Sequence, residues 1–246
     1  MDGQGREGPA VPAVEQFHGE VDRVLGAIRA TQAEALERGA ELIARTVAGG
    51  GLVYAFGAGH SQSVALEFYY RAGGLAPCDV IEERTFGRAE RLAGYARVLL
   101  EPYAVGAGDL VVVASNSGRN PLPVEMATEA RARGAAVLGI TSLAHSRVVA
   151  ARPPLTQRLF EVCDVVVDNC SVHGDAVVAV GGGGVRVGSV STLAGVFIAQ
   201  TLVCRAAEIL AGCGREVPVF CSTNVDEGDD RNRSLLAQVK GRVRGI

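Results

Sequence analysis

The sequence has no tryptophan, no Cys-x-x-C pair among its six cysteines and no excess of basic residues. With 24 lysines and arginines against 27 acidic residues, its net charge of −3 gives no electrostatic basis for binding nucleic acid. The cysteines lie mostly inside apolar runs, which indicates buried reduced thiols rather than disulfides or a zinc site. No spacing of histidine and acidic residues matches a metal site, so we expect neither a metal nor another cofactor.

The sequence also lacks a segment that would carry it into a membrane. Residues 1–12 are rich in glycine and proline and have no apolar region typical of a signal peptide, so we expect a disordered tail. The longest apolar stretch, Leu193 to Leu210, is interrupted by Gln200, Arg205 and Glu208, which predicts a buried core helix. We therefore expect a soluble cytoplasmic protein without a membrane partner.

What the sequence does contain, 48% apolar residues over 246 positions, is enough for a large core. Short apolar runs that suit strands covered on both faces alternate with segments of helical spacing. The predicted strands cover residues 52–56, 79–81, 109–114, 136–140 and 162–167. Strands that alternate with helices imply right-handed crossovers, so we predict an α/β fold with a doubly wound, Rossmann-like, five-stranded parallel sheet.

Further elements are predicted at both ends of the chain. Helical spacing over 14–47 predicts a helical N-terminal arm of one or two helices. After the sheet, a hairpin around a glycine turn at 181–184 precedes the long core helix. A solvated charged loop at 226–233 then precedes a final helix at 234–243. No linker divides the chain, and we predict one domain over residues 13–246.

Three predicted strand ends carry the polar residues expected of a ligand site, because ligands of open parallel sheets bind beyond the carboxyl ends of the strands. We call them the first loop (57–63), the second loop (115–120) and the third loop (141–142). The first loop begins like the dinucleotide motif G-x-G-x-x-G, but Gln62 stands where the last glycine is required. The triphosphate motif G-x-x-x-x-G-K-[ST] and the hydrolase motif G-x-S-x-G are also absent.

The second loop, Ser-Asn-Ser-Gly-Arg-Asn, carries the clearest chemical signal. Ser115, Ser117 and Asn120 can each donate a hydrogen bond, and Arg119 adds a positive charge. The helix predicted to follow begins with proline, which suits a first helical position, and offers free amides at its positive end. The pattern predicts an anion site suited to a phosphate monoester, with a plain helix cap and turn as the alternative.

Together these loops resemble the sugar isomerase (SIS) domain family over about residues 35–215. The motifs that carry the resemblance are residues 56–61, 68–74, 115–121, 174–176 and 218–220. They are most similar to a small bacterial subfamily of single-domain proteins of formerly unassigned activity. That subfamily is related to phosphoheptose isomerase and N-acetylmuramic acid 6-phosphate etherase.

The resemblance implies a phosphorylated sugar as ligand and a homodimer or tetramer with sites completed across an interface. It implies that Ser115, Ser117 and Asn120 hold the phosphate, while Ser61 and His60 contact the sugar. The full set of residues that we expect to bind substrate is Ser61, Ser115, Asn116, Ser117, Arg119, Asn120, Thr141 and Ser142.

Isomerisation and elimination both begin by removing the C2 proton of an open-chain sugar phosphate, which requires a carboxylate base and a second proton-moving group. Candidate bases are Glu67, Glu82 and Glu83, and candidate acids are His60 and His173. Glu82 and Glu83 follow a predicted short strand on the ligand side. Because only one of two adjacent residues faces the pocket, we choose Glu83, and we keep Glu67, His60 and His173 as further catalytic candidates.

The carboxylates also have structural alternatives. Arg84 and Arg88 follow Glu82 and Glu83, so these charges can form a solvated cluster. Glu67 can pair with Arg71 at i,i+4 on a helix predicted over 63–71.

The type of reaction is indicated by residues 117–121. Their Ser-Gly-Arg-x-Pro pattern resembles the etherase branch more than the Ser-Gly-Glu-Thr of the aldose–ketose isomerases. The catalytic glutamate that the etherases carry after the first loop has no match here, where Tyr70 or Arg71 stands. We therefore predict a related lyase that removes water from C2–C3 of an N-acetylhexosamine 6-phosphate such as N-acetylglucosamine 6-phosphate. An isomerase, with or without deamination, and a non-catalytic sugar-phosphate sensor remain the alternatives.

Overall fold

The computed structural model describes residues 11–181, 184–225 and 228–244. Its helices are α1 (Ala13–Thr31), α2 (Ala33–Ala48), α3 (Gln62–Leu66), α4 (Tyr95–Leu100), α5 (Pro121–Ala132), α6 (Leu143–Ser146), α7 (Ser191–Gly212) and α8 (Gly228–Val239). Its strands are β1 (Val53–Gly57), β2 (Cys78–Ile81), β3 (Leu110–Ala114), β4 (Ala136–Thr141), β5 (Val165–Asp168), β6 (Ala176–Ala179) and β7 (Arg186–Ser189).

The strands β1 to β5 form one parallel sheet in the order β2-β1-β3-β4-β5, which confirms the predicted fold class. Every residue of β1 and β3 is buried, as expected for central strands with both faces covered. The chain continues from β1 to β2 on one side and from β3 to β5 on the other. The strand order therefore reverses between β1 and β3, and a crevice is expected beyond their carboxyl ends.

Two hydrophobic layers cover the sheet. One layer contains residues of α1, α2, α3 and α7, among them Ile28, Ile43 and Leu202. Residues of α4, α5 and α8, among them Leu100 and Met126, form the other layer. The helices predicted as an N-terminal arm thus belong to the same core as the sheet.

Helix α7 is the one described helix that is long and apolar enough to cross a membrane by length and composition. Eight of its residues are nevertheless buried against the sheet and its neighbours: Ala194, Gly195, Ile198, Ala199, Leu202, Val203, Ala206 and Leu210. Gly195 allows a close approach to α3, because a Cβ there would lie 2.5 Å from Val64 Cγ2. The predicted core helix is therefore present in the core.

Several predicted boundaries were wrong. Helix α3 ends at Leu66 rather than at residue 71, and Tyr70 has a φ of +33°, which a helix does not allow. The fifth strand begins at Val165 because Leu159–Glu161 forms a 3₁₀ turn before it. The prediction of buried thiols holds only in part: the six cysteines are unpaired, but Cys204 and Cys213 are exposed.

The charged segment near the C-terminus is also more ordered than predicted. From Gly228 onward it is helical, and Asp229 and Asp230 lie in the first turn of α8, where acidic side chains favour the helix dipole. Asn232 bonds the backbone N–H and C=O of Cys221 at 2.9 and 2.8 Å, which ties α8 to the rest of the fold. The predictions for residues 1–10, 182–183 and 226–227 lie outside the described residues.

Candidate functional site

The loops after β1, β3 and β5 meet the start of α7 at the carboxyl edge of the sheet. A narrow cleft there is lined by the polar residues Ser61, Ser115, Asn116, Asn169, Ser191 and Thr192. Three of the predicted substrate-binding residues therefore share one cleft. Sequence reasoning missed Asn169, Ser191 and Thr192, although the polar end of β5 and the start of the core helix were both visible in the pattern.

The first loop turns sharply because its first residue is glycine. A Cβ on Gly57 would lie 2.2 Å from the carbonyl oxygen of Ser61, so no other residue fits. Gly59 has a φ of +56°, and the turn leaves His60 exposed at the rim while Ser61 faces the cleft. The geometry brings the hydroxyl of Ser61 opposite the second loop.

The second loop is a tight turn at the amino end of α5. Gly118 has a φ of +57°, and a Cβ there would lie 2.9 Å from Ser146 Oγ. Within the described residues, the backbone amides of Asn116, Ser117 and Arg119 donate to no protein acceptor. Among the described residues, Ser115 Oγ takes part in one hydrogen bond, a weak one that it accepts from the Gly118 amide at 3.3 Å. The loop thus offers several unengaged donors beside a helix dipole, which is the arrangement that binds anions.

Asn116 connects the loops after β3, β4 and β5. Its Oδ1 accepts hydrogen bonds from Asn169 Nδ2 at 3.0 Å and from Ser171 Oγ at 2.8 Å. Its carbonyl oxygen accepts from the Ser142 amide at 3.1 Å and from Thr141 Oγ1 at 3.2 Å. The side chain of Asn116 therefore holds the scaffold of the cleft as well as lining it.

Thr141 and Ser142, predicted as substrate-binding residues, are both fully buried. Ser142 Oγ donates to the Ser171 carbonyl at 2.7 Å and accepts from the His145 amide at 3.1 Å. Thr141 Oγ1 donates to the carbonyl oxygen of Asn116 at 3.2 Å. The Thr141 hydroxyl therefore bonds the second loop directly, whereas the Ser142 hydroxyl bonds residues after β4 and β5. The second and third loops lie side by side because β3 and β4 are neighbouring parallel strands.

Asn120, at the end of the second loop, is buried and its side chain is engaged by protein partners. Its Oδ1 accepts from Arg152 Nε at 2.8 Å, and Glu90 lies close to its side chain. Burial, together with the charges of Arg91 and Arg119, lowers the pKa of Arg152. Several arginines therefore surround this end of the loop, a feature that sequence reasoning did not identify.

Glu83 is 2% exposed and lies beside the first loop. Its carboxylate accepts from the amides of Thr85 and Gly87, each at 2.6 Å, and also from Thr85 Oγ1. Gln62 donates to its carbonyl oxygen. Burial alone would raise the pKa of Glu83, but hydrogen bonds from Thr85, Gly87 and Gly59 outweigh burial and lower it. The carboxylate is ionised at neutral pH and also organises the chain around it.

The other catalytic candidates are partly or fully exposed. Glu67 pairs with Arg71, the structural alternative noted above, and accepts from Gln200 Nε2 at 2.6 Å. His173 is exposed, and its ring centroid lies 4.5 Å from that of His145. Burial, then the charges of His173 and Arg119, lower the pKa of His145. Glu82, the residue not chosen, is exposed and pairs with Arg84.

Asp175 fixes the amino end of α7 at the cleft. Its carboxylate accepts from the amides of Val190 and Ser191 at 3.1 and 2.8 Å and from Ser191 Oγ at 2.7 Å. The motif at 174–176 marked this position in the sequence but did not reveal its role. Asp175 therefore satisfies the first amides of α7 and offsets the positive end of that helix, and it holds Ser191 in place at the cleft.

Among the described residues, no cluster of three or more His, Cys, Asp or Glu side chains could hold a metal ion. The site is instead built from hydroxyls, amides and helix ends that converge where the strand order reverses. A doubly wound parallel sheet with such a crevice defines an α/β protein with a candidate anion site at the switch point.

The chain belongs to the SIS domain family, whose model matches residues 16–142. A UPF0309 protein of Shouchella clausii is 37% identical over 240 residues, covering 94% of this chain and 98% of that protein. This relationship confirms the family and subfamily expected from the loops.

Solved structures share the fold. Phosphoheptose isomerase from Neisseria gonorrhoeae superposes with a TM-score of 0.55 at 18% identity, over 79% of this chain and 97% of that one. The NanR protein of Vibrio vulnificus complexed with ManNAc-6P superposes with a TM-score of 0.54 at 16% identity, over 93% of this chain and 69% of that one. The protein thus has a sugar-phosphate isomerase-type SIS fold.

Proposed function

We propose that this protein is a sugar-phosphate lyase of the dehydratase type that acts on an N-acetylhexosamine 6-phosphate such as N-acetylglucosamine 6-phosphate. The observation that carries the proposal is the second loop, whose unengaged amides lie just before α5 and whose Ser115 and Asn116 share a cleft with Ser61. Membership of the SIS family supports a phosphorylated sugar as the ligand. The ManNAc-6P complex of the similarly folded NanR protein supports the N-acetylhexosamine class.

In this proposal the phosphate lies on Ser115, Ser117 and the loop amides, and Arg119 contributes charge. Bonds from N–H or O–H groups to a charged acceptor are about twice as strong as neutral ones, which favours a phosphate as the acceptor for these donors. The sugar extends toward Ser61 and His60. Asn120, Thr141 and Ser142 hold the loop in shape and act on the phosphate through it.

The reaction is an elimination that consumes neither oxidant nor reductant. A carboxylate removes the C2 proton, which the C1 aldehyde acidifies, and the electron pair forms the C2–C3 double bond. The C3–O bond breaks, and the hydroxyl leaves as water after receiving a proton. We assign the base to Glu83, which is ionised beside the first loop, and the acid to His173 or His60; Glu67 is the second candidate base.

We further propose that the protein acts in the cytoplasm as a homodimer or tetramer. Support comes from the apolar side chains of Leu66 and Leu193, on α3 and α7 beside the cleft, which are 52% and 47% exposed. Burying such side chains against a second copy would remove apolar surface from water. Light scattering coupled to gel filtration tests this: a monomer at micromolar concentration would contradict it.

Two alternatives are favoured by particular observations. The fold shared with phosphoheptose isomerase supports aldose–ketose isomerisation, and the fold shared with NanR supports a sensor that binds without turnover. A product assay by NMR in D₂O with a panel of hexosamine 6-phosphates separates the three. Deuterium at C2 without loss of water, or a ketose product, contradicts the lyase, and tight binding without turnover indicates the sensor.

The same assay tests the placement of the site. Ser117→Ala should lower activity and binding, whereas Ser63→Ala, the matched change at an exposed position of α3, should alter neither. Equal behaviour of the two variants would show that the second loop does not bind the phosphate.

A further inference from the structure

Residues 147–159, which we call the strap, lead from α6 toward the fifth strand and bond the second loop at two places. The Leu159 amide donates to the Gly118 carbonyl at 2.8 Å, and the Arg152 amide donates to the Arg119 carbonyl at 2.9 Å. Two successive carbonyl groups of the second loop are therefore held by one segment that follows a different strand.

These two bonds also fix the direction of two loop amides. Both peptide bonds are trans, and in a trans peptide unit the C=O and N–H groups point in opposite directions. Because the Gly118 carbonyl points at the strap, the Arg119 N–H points away from it. The Arg119 carbonyl directs the Asn120 N–H in the same way. Within the described part of the chain, neither amide donates to a protein acceptor.

A third amide of the second loop is directed by the third loop. The Asn116 carbonyl accepts from the Ser142 amide at 3.1 Å and from Thr141 Oγ1 at 3.2 Å. The N–H of Ser117, which belongs to the same peptide unit as that carbonyl, therefore points away from the third loop. It too donates to no acceptor among the described residues.

The segments that hold these carbonyls lie on one side of the second loop. A Cβ on Gly118 would lie 2.9 Å from Ser146 Oγ, directly before the strap, and 3.0 Å from Thr141 Oγ1 of the third loop. The amides of Ser117, Arg119 and Asn120 face away from that side. Successive backbone amides in a turn form the concave anion sites known as nests, so the strap and the third loop together shape a nest.

Arg152 holds the second loop a second time, through its side chain. Its Nε donates to Asn120 Oδ1 at 2.8 Å, and Asn120 is a buried residue directly before α5. Within the described residues, Arg152 forms no ion pair. One residue thus bonds both Arg119 and Asn120, the two residues whose amides the strap directs.

We propose that Arg152 is a positioning residue of the phosphate site, which fixes Arg119 and Asn120 so that their amides are directed at the bound phosphate. This inference rests on the proposed function, in which the second loop binds the phosphate. The Arg152 amide lies on the carbonyl side of the loop, opposite the free amides, so Arg152 acts on the phosphate through the loop. Nothing in the sequence near Arg152 indicates this role, because the bonds join residues 32 or more positions apart.

Inorganic phosphate is the probe, and isothermal titration calorimetry at pH 8, where phosphate is largely a dianion, measures its binding. Arg152→Ala should bind phosphate about tenfold more weakly than wild type, because Asn120 loses the bond that fixes it and two amides lose their alignment. Arg45→Ala removes the same charge from an exposed position in the last turn of α2 and should match wild type. Circular dichroism confirms that each variant is folded. If Arg152→Ala does not fold, Arg152→Met, which keeps the aliphatic stem, replaces it.

A double-mutant cycle separates positioning from direct contact. If Arg152 acts through Asn120, Asn120→Ala should weaken phosphate binding at least as much as Arg152→Ala. The double variant should then bind no more weakly than Asn120→Ala alone, because the second change removes nothing further. Additive losses would show that the Arg152 guanidinium contacts the phosphate itself, and the inference would be wrong.

The amide signals in nuclear magnetic resonance spectra give a local measurement. In wild type, saturating phosphate should shift the amide signals of Ser117, Arg119 and Asn120. In Arg152→Ala the shifts at Arg119 and Asn120 should shrink, whereas the shift at Ser117 should persist because the third loop still holds its peptide unit. An equal change at all three amides would contradict a role of Arg152 that is specific to Arg119 and Asn120.

Failure of this inference and failure of the proposed function are distinguishable. If wild type binds phosphate and Arg152→Ala binds it equally well, Arg152 is not a positioning residue, and the second loop still stands as the phosphate site. If wild type binds no inorganic phosphate and its loop amides do not shift, the phosphate site itself is wrong, and this inference fails with it.

Discussion

Replacing Glu83 by glutamine tests how much of the site depends on one buried carboxylate. The wild-type side chain is 2% exposed and accepts from two backbone amides at 2.6 Å and from a hydroxyl. Glutamine has nearly the same shape, but its NH₂ group cannot accept, so a donor is left facing another donor. Because a hydrogen bond to a charged group contributes about 1.5–3 kcal/mol, we expect a loss of about 2–4 kcal/mol in the free energy of unfolding.

For a domain of this size that loss corresponds to a fall in Tm of about 5–15 °C. Thermal unfolding followed by circular dichroism at pH 7 measures it, and Glu82→Gln at the exposed neighbouring position should change Tm little. A Tm for Glu83→Gln within a degree or two of wild type would refute the conclusion that this carboxylate holds the segment after β2, around Thr85 and Gly87, in place.

The difference in Tm between wild type and Glu83→Gln should depend on pH, because the pKa of Glu83 is lowered in the folded protein. A group whose pKa is lower in the folded state stabilises the fold above its ordinary pKa of 4.5, and that contribution is lost as the pH falls through the folded value. The gap in Tm between wild type and Glu83→Gln should therefore be constant from pH 6 to 8 and narrow below about pH 4.5. A gap that widens on acidification would contradict the direction of the shift.

Activity adds an independent measurement on the same variant. If Glu83 is the base, its replacement should lower kcat by about 10²–10⁴-fold at a temperature where the variant remains folded. A variant that keeps full activity would show that Glu83 only organises the site, and Glu67→Gln would then be the next test.

Three other changes follow from the geometry. Gly118→Ala should destabilise the protein by about 1–3 kcal/mol, because alanine is strained at positive φ and its Cβ would contact Ser146 Oγ. The same change should abolish phosphate binding, and an unchanged phosphate affinity would contradict this prediction. Asp175→Ala should lower the free energy of unfolding, measured with urea, by about 1–2 kcal/mol, because the bonds to Ser191 and to the start of α7 are lost. Asp175→Asn should be intermediate. Equal stability of wild type and both variants would contradict the role of Asp175 as a helix cap. Ser117→Ala should weaken binding of a sugar phosphate about tenfold or more, as measured by calorimetry, and should leave binding of the unphosphorylated sugar unchanged. An equal effect on both ligands would show that Ser117 does not contact the phosphate.

Much of this protein was predictable from local sequence pattern. Apolar runs over β1 and β3 predict buried parallel strands because such strands are covered on both faces. The glycines and hydroxyls directly after them predict the cleft, because the ends of parallel strands lie at one edge of the sheet. Fold class and family follow from these regularities, and both are confirmed.

What only the tertiary structure decided is how individual polar side chains are used. Asn116 bonds Asn169, 53 residues away, and Asn120 accepts from Arg152, 32 residues away, because loops from different strands meet at the sheet edge. Whether Glu83 is exposed with Arg84 or buried among backbone amides depends on the path of the segment after β2, which has no periodic pattern. Hydrogen bonds between distant loops are set by packing, and sequence spacing carries no record of them. The position of the second loop at the sheet edge therefore followed from the sequence, while the surroundings of each carboxylate did not.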